Sequence, residues 1–425
     1  MLRKLIDDLL LKNSFTKNVL KVFSGSAVAS IIAFFTLPII TRLYSPEDYG
    51  VFQLMLSFIT LFYSISSLKY EMAIVLPTSA KKSRTLTQLA LMVLVGTTTV
   101  FSLALFFGGD FVLGLLNAEK LSPYLMYMAI GIFLGGMVEI FRYTLTAKKQ
   151  FKQQSICVVS QAGTNQGAAI GLGYLAPSFF GLILSFIAGQ LVFISLYLFK
   201  NRLPVKGVDF EEIKESAIEY KNFPMINTIS VFLNRLSLQL PVFMFSAYFT
   251  EEIVGIYNLA YKSISLPLTF LSYAISQVYL KDAAVAFAKS ADTLLKLYKS
   301  LIFRVSILGI LPVLVITFFA QELVGIIFGS EWIQSAVFMQ VMIFWIYFQF
   351  VNGSVATTIS IINKQQYGLF LIIGSLVLRF GAMYIFREDV LHMLYALTAS
   401  ACLFYILYNF TIYILIKKRQ GEEAY

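Results

Sequence analysis

A few ionisable side chains lie inside the apolar stretches of this chain, and these are the residues that could do chemistry. Arg235 lies nearest the middle of such a stretch, and Gln239 shares its face one helical turn later. Lys262 follows Tyr257 and Tyr261, whose spacing of four also places both rings on one face. An ionisable group at the centre of a membrane helix costs about 2.5–3.5 kcal/mol, so it normally faces a partner or a watery cavity. We therefore expect these five residues to line a substrate-binding cavity, with Arg235 and Lys262 neutralising an anion.

Two carboxylates offer alternatives to this interpretation. Glu71 lies close to Lys69, and Glu139 lies three residues before Arg142. Either carboxylate could instead form an interhelical salt bridge with Arg235 or Lys262, and both are candidates for ion coupling. Because residues three apart share a helical face, we expect Glu139 and Arg142 to pair.

Four further cations, Lys69, Arg142, Arg304 and Arg379, lie nearer the ends of their stretches. Long basic side chains at such positions reach the interface by snorkelling, and we expect that role for them. Amides one turn apart, Gln161 with Asn165 and Gln349 with Asn352, could bind sugar hydroxyls but more often hold helices together.

Catalytic, metal and cofactor chemistry find little support. His392 is the only histidine, which excludes a histidine-based triad or a multi-histidine metal centre. Cys157 and Cys402 both lie inside apolar stretches and are interpreted as packing residues. A GxxxxGK[ST] phosphate loop is also missing from the sequence, which argues against self-contained ATP hydrolysis. We therefore predict no catalytic residue, no metal and no cofactor.

The elements that position these residues are apolar stretches near the roughly 20 residues that a helix needs to cross a bilayer. Hydrophobic residues make up 58% of the 425 positions and charged residues 13%, which is too little polar surface for a soluble protein of this size. The fold class predicted is therefore an all-α polytopic membrane protein. The predicted spans are 19–41, 49–76, 84–107, 122–146, 154–174, 178–200, 224–248, 253–279, 295–320, 333–360, 365–386 and 390–416.

The distribution of basic residues predicts the orientation. Segments on one side of these spans hold 24 Lys and Arg residues, and the other side holds only Arg42, Lys120 and Arg387. Basic residues are retained in the cytoplasm during insertion, so both termini are expected there, with an even number of spans. The net charge of +10 is then a topology signal, and no nucleic-acid partner is expected.

The domain organisation predicted is two lobes joined by a linker. Residues 1–18 precede the first span without a recognisable cleavage site and have the apolar spacing of an amphipathic helix at the interface. Spans one to six form a lobe over 19–200, and spans seven to twelve form a second lobe over 224–417. The linker, 201–223, holds Pro204, Gly207 and alternating charges that are compatible with a short amphipathic helix, and 418–425 is a cytoplasmic tail.

Similar stretches in the two halves indicate an internal duplication. Leu37-Pro38 precedes an acidic turn and Gly50-Val51-Phe52, as Leu240-Pro241 precedes an acidic turn and Gly255-Ile256-Tyr257. Two further pairs occur in the same order, Asp110-Phe111-Val112 with Glu322-Leu323-Val324 and Lys149-Gln150-Phe151 with Gln365-Gln366-Tyr367. Two repeats of six spans would have the same orientation, which is an architecture found in transporters.

Three segments resemble the bacterial polysaccharide flippases of the multidrug/oligosaccharidyl-lipid/polysaccharide exporter superfamily. They are the runs LPIITRLYSPEDYG at 37–50, KYEMAIVLP at 69–77 and GIYNLAY at 255–261. The length and the spans are similar over essentially the whole chain. The resemblance implies a V-shaped bundle with a central cavity in the bacterial inner membrane. It also implies movement of an undecaprenyl-pyrophosphate-linked oligosaccharide from the cytoplasmic to the periplasmic leaflet.

The partners expected on this basis are the lipid-linked oligosaccharide of an O-antigen, capsule or similar pathway, membrane lipids, and the pathway's polymerase and chain-length regulator. Three other classes remain open: a cation or drug antiporter of the same superfamily, a membrane polysaccharide polymerase, and a non-transporting scaffold for a polysaccharide assembly complex. The scaffold would leave Arg235 unexplained. Mid-span cations favour an anionic cargo over the antiporter. Short outer loops disfavour the polymerase.

We predict that reporter fusions will place Gly50, Asn117 and Thr250 in the periplasm, because they follow odd-numbered spans. Fusions at Ser83, Gly207 and Lys289 should report the cytoplasm. A cytoplasmic signal at Thr250 would contradict both the topology and the duplication.

Overall fold

The computed structural model describes residues 14–203 and 209–423, and within these ranges the chain is helical with no strand. Most of the amphipathic segment predicted over 1–18 lies outside the described residues, as do Pro204 and Gly207 of the linker. Residues 14–18 belong to the first helix. The fold class predicted from hydropathy, an all-α membrane protein, is confirmed.

Fifteen α-helices account for nearly all of the described chain. Their bounds are α1 Ser14–Leu43, α2 Pro46–Tyr63, α3 Tyr70–Ala73, α4 Ala80–Leu115, α5 Leu125–Ala147, α6 Phe151–Leu175, α7 Phe179–Lys200, α8 Phe210–Glu219, α9 Thr228–Tyr248, α10 Glu251–Lys289, α11 Ala291–Ile327, α12 Gln334–Val355, α13 Thr358–Ile361, α14 Gln365–Ile385 and α15 Val390–Glu423. Twelve of them have 18 or more residues, in the order of the twelve predicted spans. Nine of the described helices are apolar enough to cross a membrane by length and composition.

The three long helices outside those nine, α2, α6 and α10, carry more polar residues. The first turn of α2 holds Glu47 and Asp48, and α6 holds buried Gln153 and Gln154. Helix α10 has 39 residues and is therefore about 58 Å long, roughly twice the thickness of a bilayer core. Its polar end, which the sequence assigned to a loop after 279, continues as helix to Lys289.

The second predicted span, 49–76, is not one continuous helix. Helix α2 ends at Tyr63, and Leu68 and Lys69 have left-handed backbone angles with φ of 48° and 59°. The hydroxyls of Ser64 and Ser66 donate to the carbonyls of Leu61 and Tyr63, at 2.8 and 2.9 Å. Serine side chains of this kind compete with the helical hydrogen bonds, which explains a break that apolar composition conceals.

The tenth predicted span, 333–360, is also interrupted. Helix α12 ends at Val355, and the short helix α13 follows before a left-handed residue, Asn363, with φ of 55°.

The predicted linker contains the short amphipathic helix that its alternating charges suggested. Asp209 caps α8 by accepting from the backbone N–H groups of Glu211 and Glu212. Ile213 and Ser216 form its buried face, while its acidic residues face outward.

The chain divides into two compact units, Met1–Gln239 and Leu240–Tyr425, called unit 1 and unit 2 below. The division falls inside α9, so α8 and the first half of α9 belong with unit 1. Within unit 1, α5 packs on α2, α4 and α7. Within unit 2, α12 packs on α10, α11 and α15. A duplication would make these three helices equivalent to α2, α4 and α7 of unit 1.

The loops also repeat. A left-handed residue and a short 3₁₀ helix join α4 to α5, through Asn117 and Glu119–Tyr124. The same order joins α11 to α12, through Gly329 and Ser330–Trp332. A left-handed residue also stands two positions before α6 and before α14. These repeated features support the duplication, and superposition of the two halves remains a prediction.

Glycines bring α5 close to α2 in unit 1. Gly131 and Gly135 are one turn apart, and a Cβ added to them would lie 2.7 Å from Ile59 Cδ1 and from Tyr63 Cδ1. Small residues at this spacing let membrane helices approach closely. Glu139 is four residues after Gly135 and therefore continues the stripe that faces α2.

Substituting Gly135→Ala should destabilise unit 1 by about 1–3 kcal/mol, because the new methyl group meets the inner atoms of the Tyr63 ring. Gly163→Ala on α6 is the matched control, since nothing lies within 4 Å of its added Cβ. Melting temperatures of the purified variants in detergent measure the difference. Equal stability of the two variants would contradict the close packing of α2 and α5.

Candidate functional site

Three charged side chains of unit 1 act electrostatically on the residue at the end of α2. Tyr63, the last residue of α2, interacts electrostatically with Glu139, Arg142 and Arg235. These four residues, called the Tyr63 cluster, come from three helices that are far apart in sequence. The glycine stripe on α5 explains why Glu139 reaches Tyr63, because it continues the same helical face.

A cavity of about 300 Å³ adjoins the cluster. Its lining consists of Glu139, Arg142, Tyr143, Thr146 and Gln154. Together these side chains offer a carboxylate, a guanidinium, a phenol, a hydroxyl and an amide. Such a lining can both donate to and accept from a polar ligand.

Glu139 and Arg142 do not form the ion pair expected from their spacing. Both line the cavity and both are half-buried, yet among the described residues neither one takes part in a salt bridge. The two charges are thus directed at the cavity and the Tyr63 ring instead of each other.

Arg235 and Gln239 lie on the same face of α9, as predicted, but have different surroundings. Gln239 Nε2 donates to Thr60 Oγ1 at 2.8 Å, and Ser57 Oγ donates to Gln239 Oε1 at 3.2 Å. These bonds hold α9 against α2. Gln239 therefore contributes interhelical hydrogen bonds, and its expected contact with a ligand remains a prediction.

Arg235 is exposed and forms no hydrogen bond or ion pair with another described residue. The alternative salt bridge from Arg235 to Glu71 or Glu139 is not present in the described part of the chain. Arg235 is thus an exposed cation that acts electrostatically on Tyr63 at the end of α2.

Glu71 has a structural environment. It is fully buried, and its Oε1 lies 2.6 Å from Lys69 Nζ, while Ser67 donates a hydrogen bond to Oε2. Lys69 Nζ also donates to the carbonyl of Ser64 at 3.1 Å. Lys69 therefore does not snorkel as predicted, because its left-handed backbone turns it inward to neutralise Glu71.

In unit 2, the tyrosine pair forms an aromatic column with Trp345, and Lys262 follows Tyr261 in the chain. Tyr257 and Tyr261 stack with centroids 6.2 Å apart, and Tyr261 stacks on Trp345 at 5.5 Å. Tyr257 is buried, and Tyr261 and Lys262 are half-buried. The predicted candidates thus fall into two groups, with Arg235, Gln239, Glu71 and Glu139 in unit 1 and the other three in unit 2.

Arg379 extends this column and was assigned the wrong environment from sequence. Only 4% of its surface is exposed, and its guanidinium lies 5.9 Å from the Trp345 ring and 5.6 Å from the Phe404 ring. Each cation–π contact contributes roughly 0.5–2 kcal/mol, whereas burying an ion costs several kcal/mol. The α14 sequence holds no signal for this environment, because the rings that cover Arg379 come from α12 and α15.

Most of the intramembrane amides form hydrogen bonds with side chains on a neighbouring helix. Gln161 donates to Gln190 at 2.9 Å, and Asn165 accepts from Ser185 at 3.2 Å. Asn352 donates to Asn409 at 3.3 Å. These contacts favour the role of interhelical glue over sugar binding.

Helix α8 is attached to the start of α4 by two ion pairs. Lys81 pairs with Glu212 and Lys82 pairs with Glu219, and the Lys82 ammonium lies over the Tyr220 ring at 5.9 Å. The hydrogen bond from Lys82 lowers the pKa of Glu219. This contact fixes α8 at the same end of unit 1 as residues 148–150, which follow α5.

Solved transporters share this fold over nearly their whole length. A lipid II flippase, MurJ, in an inward closed conformation has a TM-score of 0.74 at 11% identity, over 93% of this chain and 89% of that one. An inward-facing multidrug resistance MATE family transporter of the MOP superfamily has a TM-score of 0.66 at 15% identity, over 92% and 96%. A MOP superfamily transporter from Pyrococcus furiosus has 0.58 at 13% identity, over 96% and 97%. The chain therefore has the fold of MOP superfamily transporters.

The sequence itself identifies the family. Residues 39–337 match the model of the polysaccharide biosynthesis protein family. That match covers more than half of the chain, and the chain belongs to this family. No curated protein sequence matches it.

The attachment of α8 should depend on pH in one direction. The folded-state pKa of Glu219 is lowered. The ion pair of Glu219 with Lys82 therefore stabilises the attachment of α8 fully above the ordinary pKa of 4.5, and this stabilisation is lost as the pH falls through the lowered pKa. Hydrogen-exchange protection of α8, corrected for intrinsic rates, should fall in that range. Glu219→Gln should reduce protection already at neutral pH, whereas Glu215→Gln, which removes a carboxylate without a salt bridge, should not. Equal protection in the two variants would argue against the attachment.

Proposed function

We propose that this chain is a flippase that moves an undecaprenyl-pyrophosphate-linked oligosaccharide from the cytoplasmic to the periplasmic leaflet by alternating access. The observation that carries the proposal is Arg235, an exposed cation without an ion-pair partner among the described residues, which acts on Tyr63 together with Arg142. Family membership and the likeness to a lipid II flippase support the same cargo class.

The charge of the cluster fits an anionic headgroup. A pyrophosphate cannot enter hydrocarbon without compensation, since an isolated ion there costs far more than the available binding energy. Arg142 and Arg235 exceed the single carboxylate, Glu139, by one positive charge. Guanidinium groups bind phosphate oxygens in a bidentate manner, which gives both strength and orientation.

The adjoining cavity fits the sugar that follows the pyrophosphate. Sugar hydroxyls are both donors and acceptors, and the cavity lining supplies both kinds of group through Glu139, Tyr143, Thr146 and Gln154. In this proposal Arg235 and Arg142 hold the diphosphate while the cavity accepts the first sugar.

An antiporter for cations or drugs is less well supported. Such a cargo calls for a free intramembrane carboxylate, and Glu71 is already neutralised by Lys69 at 2.6 Å. Glu139 remains a candidate for ion coupling, but it stands beside two guanidinium groups. Transport without covalent chemistry accounts for these residues, so we do not propose an enzyme.

The position of the cluster agrees with loading from the cytoplasmic leaflet. Glu139 and Arg142 lie in the last three turns of α5, just before Lys148 and Lys149. The distribution of basic residues assigns that end to the cytoplasm. We propose a bacterial inner-membrane location with both termini cytoplasmic, and a polysaccharide polymerase and chain-length regulator as downstream partners.

Replacing Arg235 with Ala should abolish export of the surface polysaccharide while membrane abundance stays normal, because this side chain supports no described salt bridge. Arg235→Lys should keep part of the activity, since a point charge still attracts phosphate without the bidentate fork. Surface polysaccharide and flippase abundance are measured in the same cells.

Arg304→Ala is the matched control, because Arg304 is also an exposed cation on a long apolar helix, α11. It should export normally. Normal export by a stably expressed Arg235→Ala variant would refute the cargo-binding role, and a loss of abundance in that variant would instead indicate a structural one.

A further inference from the structure

Arg379 is a buried cation for which unit 2 supplies no counter-charge. Its guanidinium is 4% exposed, and its Nε has no hydrogen-bond partner in the described part of the chain. It contacts the faces of Trp345 and Phe404, interacts electrostatically with Tyr257 and forms a side-chain hydrogen bond with Tyr405. None of these four partners is a carboxylate.

The sequence of the surrounding helices explains this lack. Helices α12 and α14 contain no acidic residue, and the acidic residues of α15 are confined to its last turn. Those of α10 are Glu251 and Glu252 in its first turn and Asp282 near its far end. An arginine does not lose its proton in a protein, so the charge cannot be removed by titration. No described carboxylate forms a salt bridge with Arg379, and a bound anion would supply the missing counter-charge.

The packing of α14 allows a ligand to reach this group. Helix α14 packs extensively only on α15 among the described helices, and its backbone does not pack closely on α12. The Arg379 side chain bridges the space from α14 to Trp345 on α12. A small displacement of α14 would uncover the guanidinium without disturbing the tightly packed α10, α11 and α12.

We propose that Arg379, with Trp345 and Phe404, is a second anion-binding site, located in unit 2, that takes a phosphate or diphosphate group. The guanidinium fork fits phosphate oxygens in a bidentate manner. The column of Tyr257, Tyr261 and Trp345 beside it offers aromatic faces for a sugar ring. The identification of this ligand with the transported cargo rests on the proposed function, whereas the phosphate chemistry does not.

The position of Trp345 makes the site observable. The chain has two tryptophans, Trp332 and Trp345, so Trp332→Phe leaves a single reporter in contact with Arg379. Inorganic pyrophosphate titrated into this purified full-length variant in detergent should change the Trp345 emission in a saturable manner. If Trp332→Phe does not fold, the difference between the wild-type and Trp345→Phe titrations gives the same signal.

Arg379→Met in that background should weaken the apparent pyrophosphate affinity at least tenfold, and Arg379→Lys should weaken it less. Arg304→Met, which removes an exposed cation from α11, should leave it unchanged. A wild-type response in Arg379→Met, or no saturable response in the parent, would overturn the site.

The melting temperature separates ligand binding from packing. Removal of an uncompensated buried charge should leave the unliganded Arg379→Met protein as stable as the parent or more stable. A lower melting temperature would mean that the aromatic rings already compensate the guanidinium, and it would overturn the proposal.

Two sources of phosphate are distinguished by further titrations of the same protein. A response to undecaprenyl pyrophosphate but not to phosphatidylglycerol would assign the site to the cargo. The opposite preference would assign it to a membrane lipid headgroup. Export that depends on Arg235 without a Trp345 response would refute this site alone, whereas pyrophosphate binding with normal export by Arg235→Ala would refute only the cargo role of Arg235.

Discussion

The cost of an uncompensated charge in hydrocarbon is the constraint on which the rest of this structure depends. The chain meets it in three different ways. Glu71 and Lys69 neutralise each other at 2.6 Å in a buried pair. Arg379 lies against aromatic faces without a carboxylate among the described residues. The Tyr63 cluster keeps its charges beside a cavity, where water or a ligand can reach them. Only the first arrangement pairs its charges within the protein, and the other two are the sites for which we propose a ligand.

Departures from regular helix packing create these environments. The break after Tyr63 gives Lys69 a left-handed backbone, and this places its ammonium against Glu71 instead of at the interface. The glycines at 131 and 135 bring α5 against α2, so that Glu139 continues the contact face up to the Tyr63 ring. Gln239, one turn after Arg235 on α9, then holds α9 against α2 through its hydrogen bond to Thr60. A few small or polar residues therefore position the whole cluster.

The repeated order of helices and loops gives both units the same framework but different chemistry. Each unit has a central helix, α5 or α12, that packs on three equivalent neighbours. In unit 1 this helix carries glycines and the charges Glu139 and Arg142. In unit 2 it carries Trp345 and no charge, and the cation comes from α14 instead. A duplicated framework can thus hold a polar cavity in one unit and an aromatic column with a buried guanidinium in the other.

The sequence by itself determined the helical membrane fold, the order of the long helices, the amphipathic linker helix and the family, because hydropathy, charge distribution and short motifs are local properties. It also identified Arg235 as a cation deep in an apolar stretch. Only the tertiary structure decided which charges meet. Spacing predicted a Glu139–Arg142 pair and snorkelling by Lys69 and Arg379, and all three expectations were wrong. The reason is physical: a charge pairs according to the helices packed around it, and those contacts depend on close glycine packing and helix breaks that no single helix encodes.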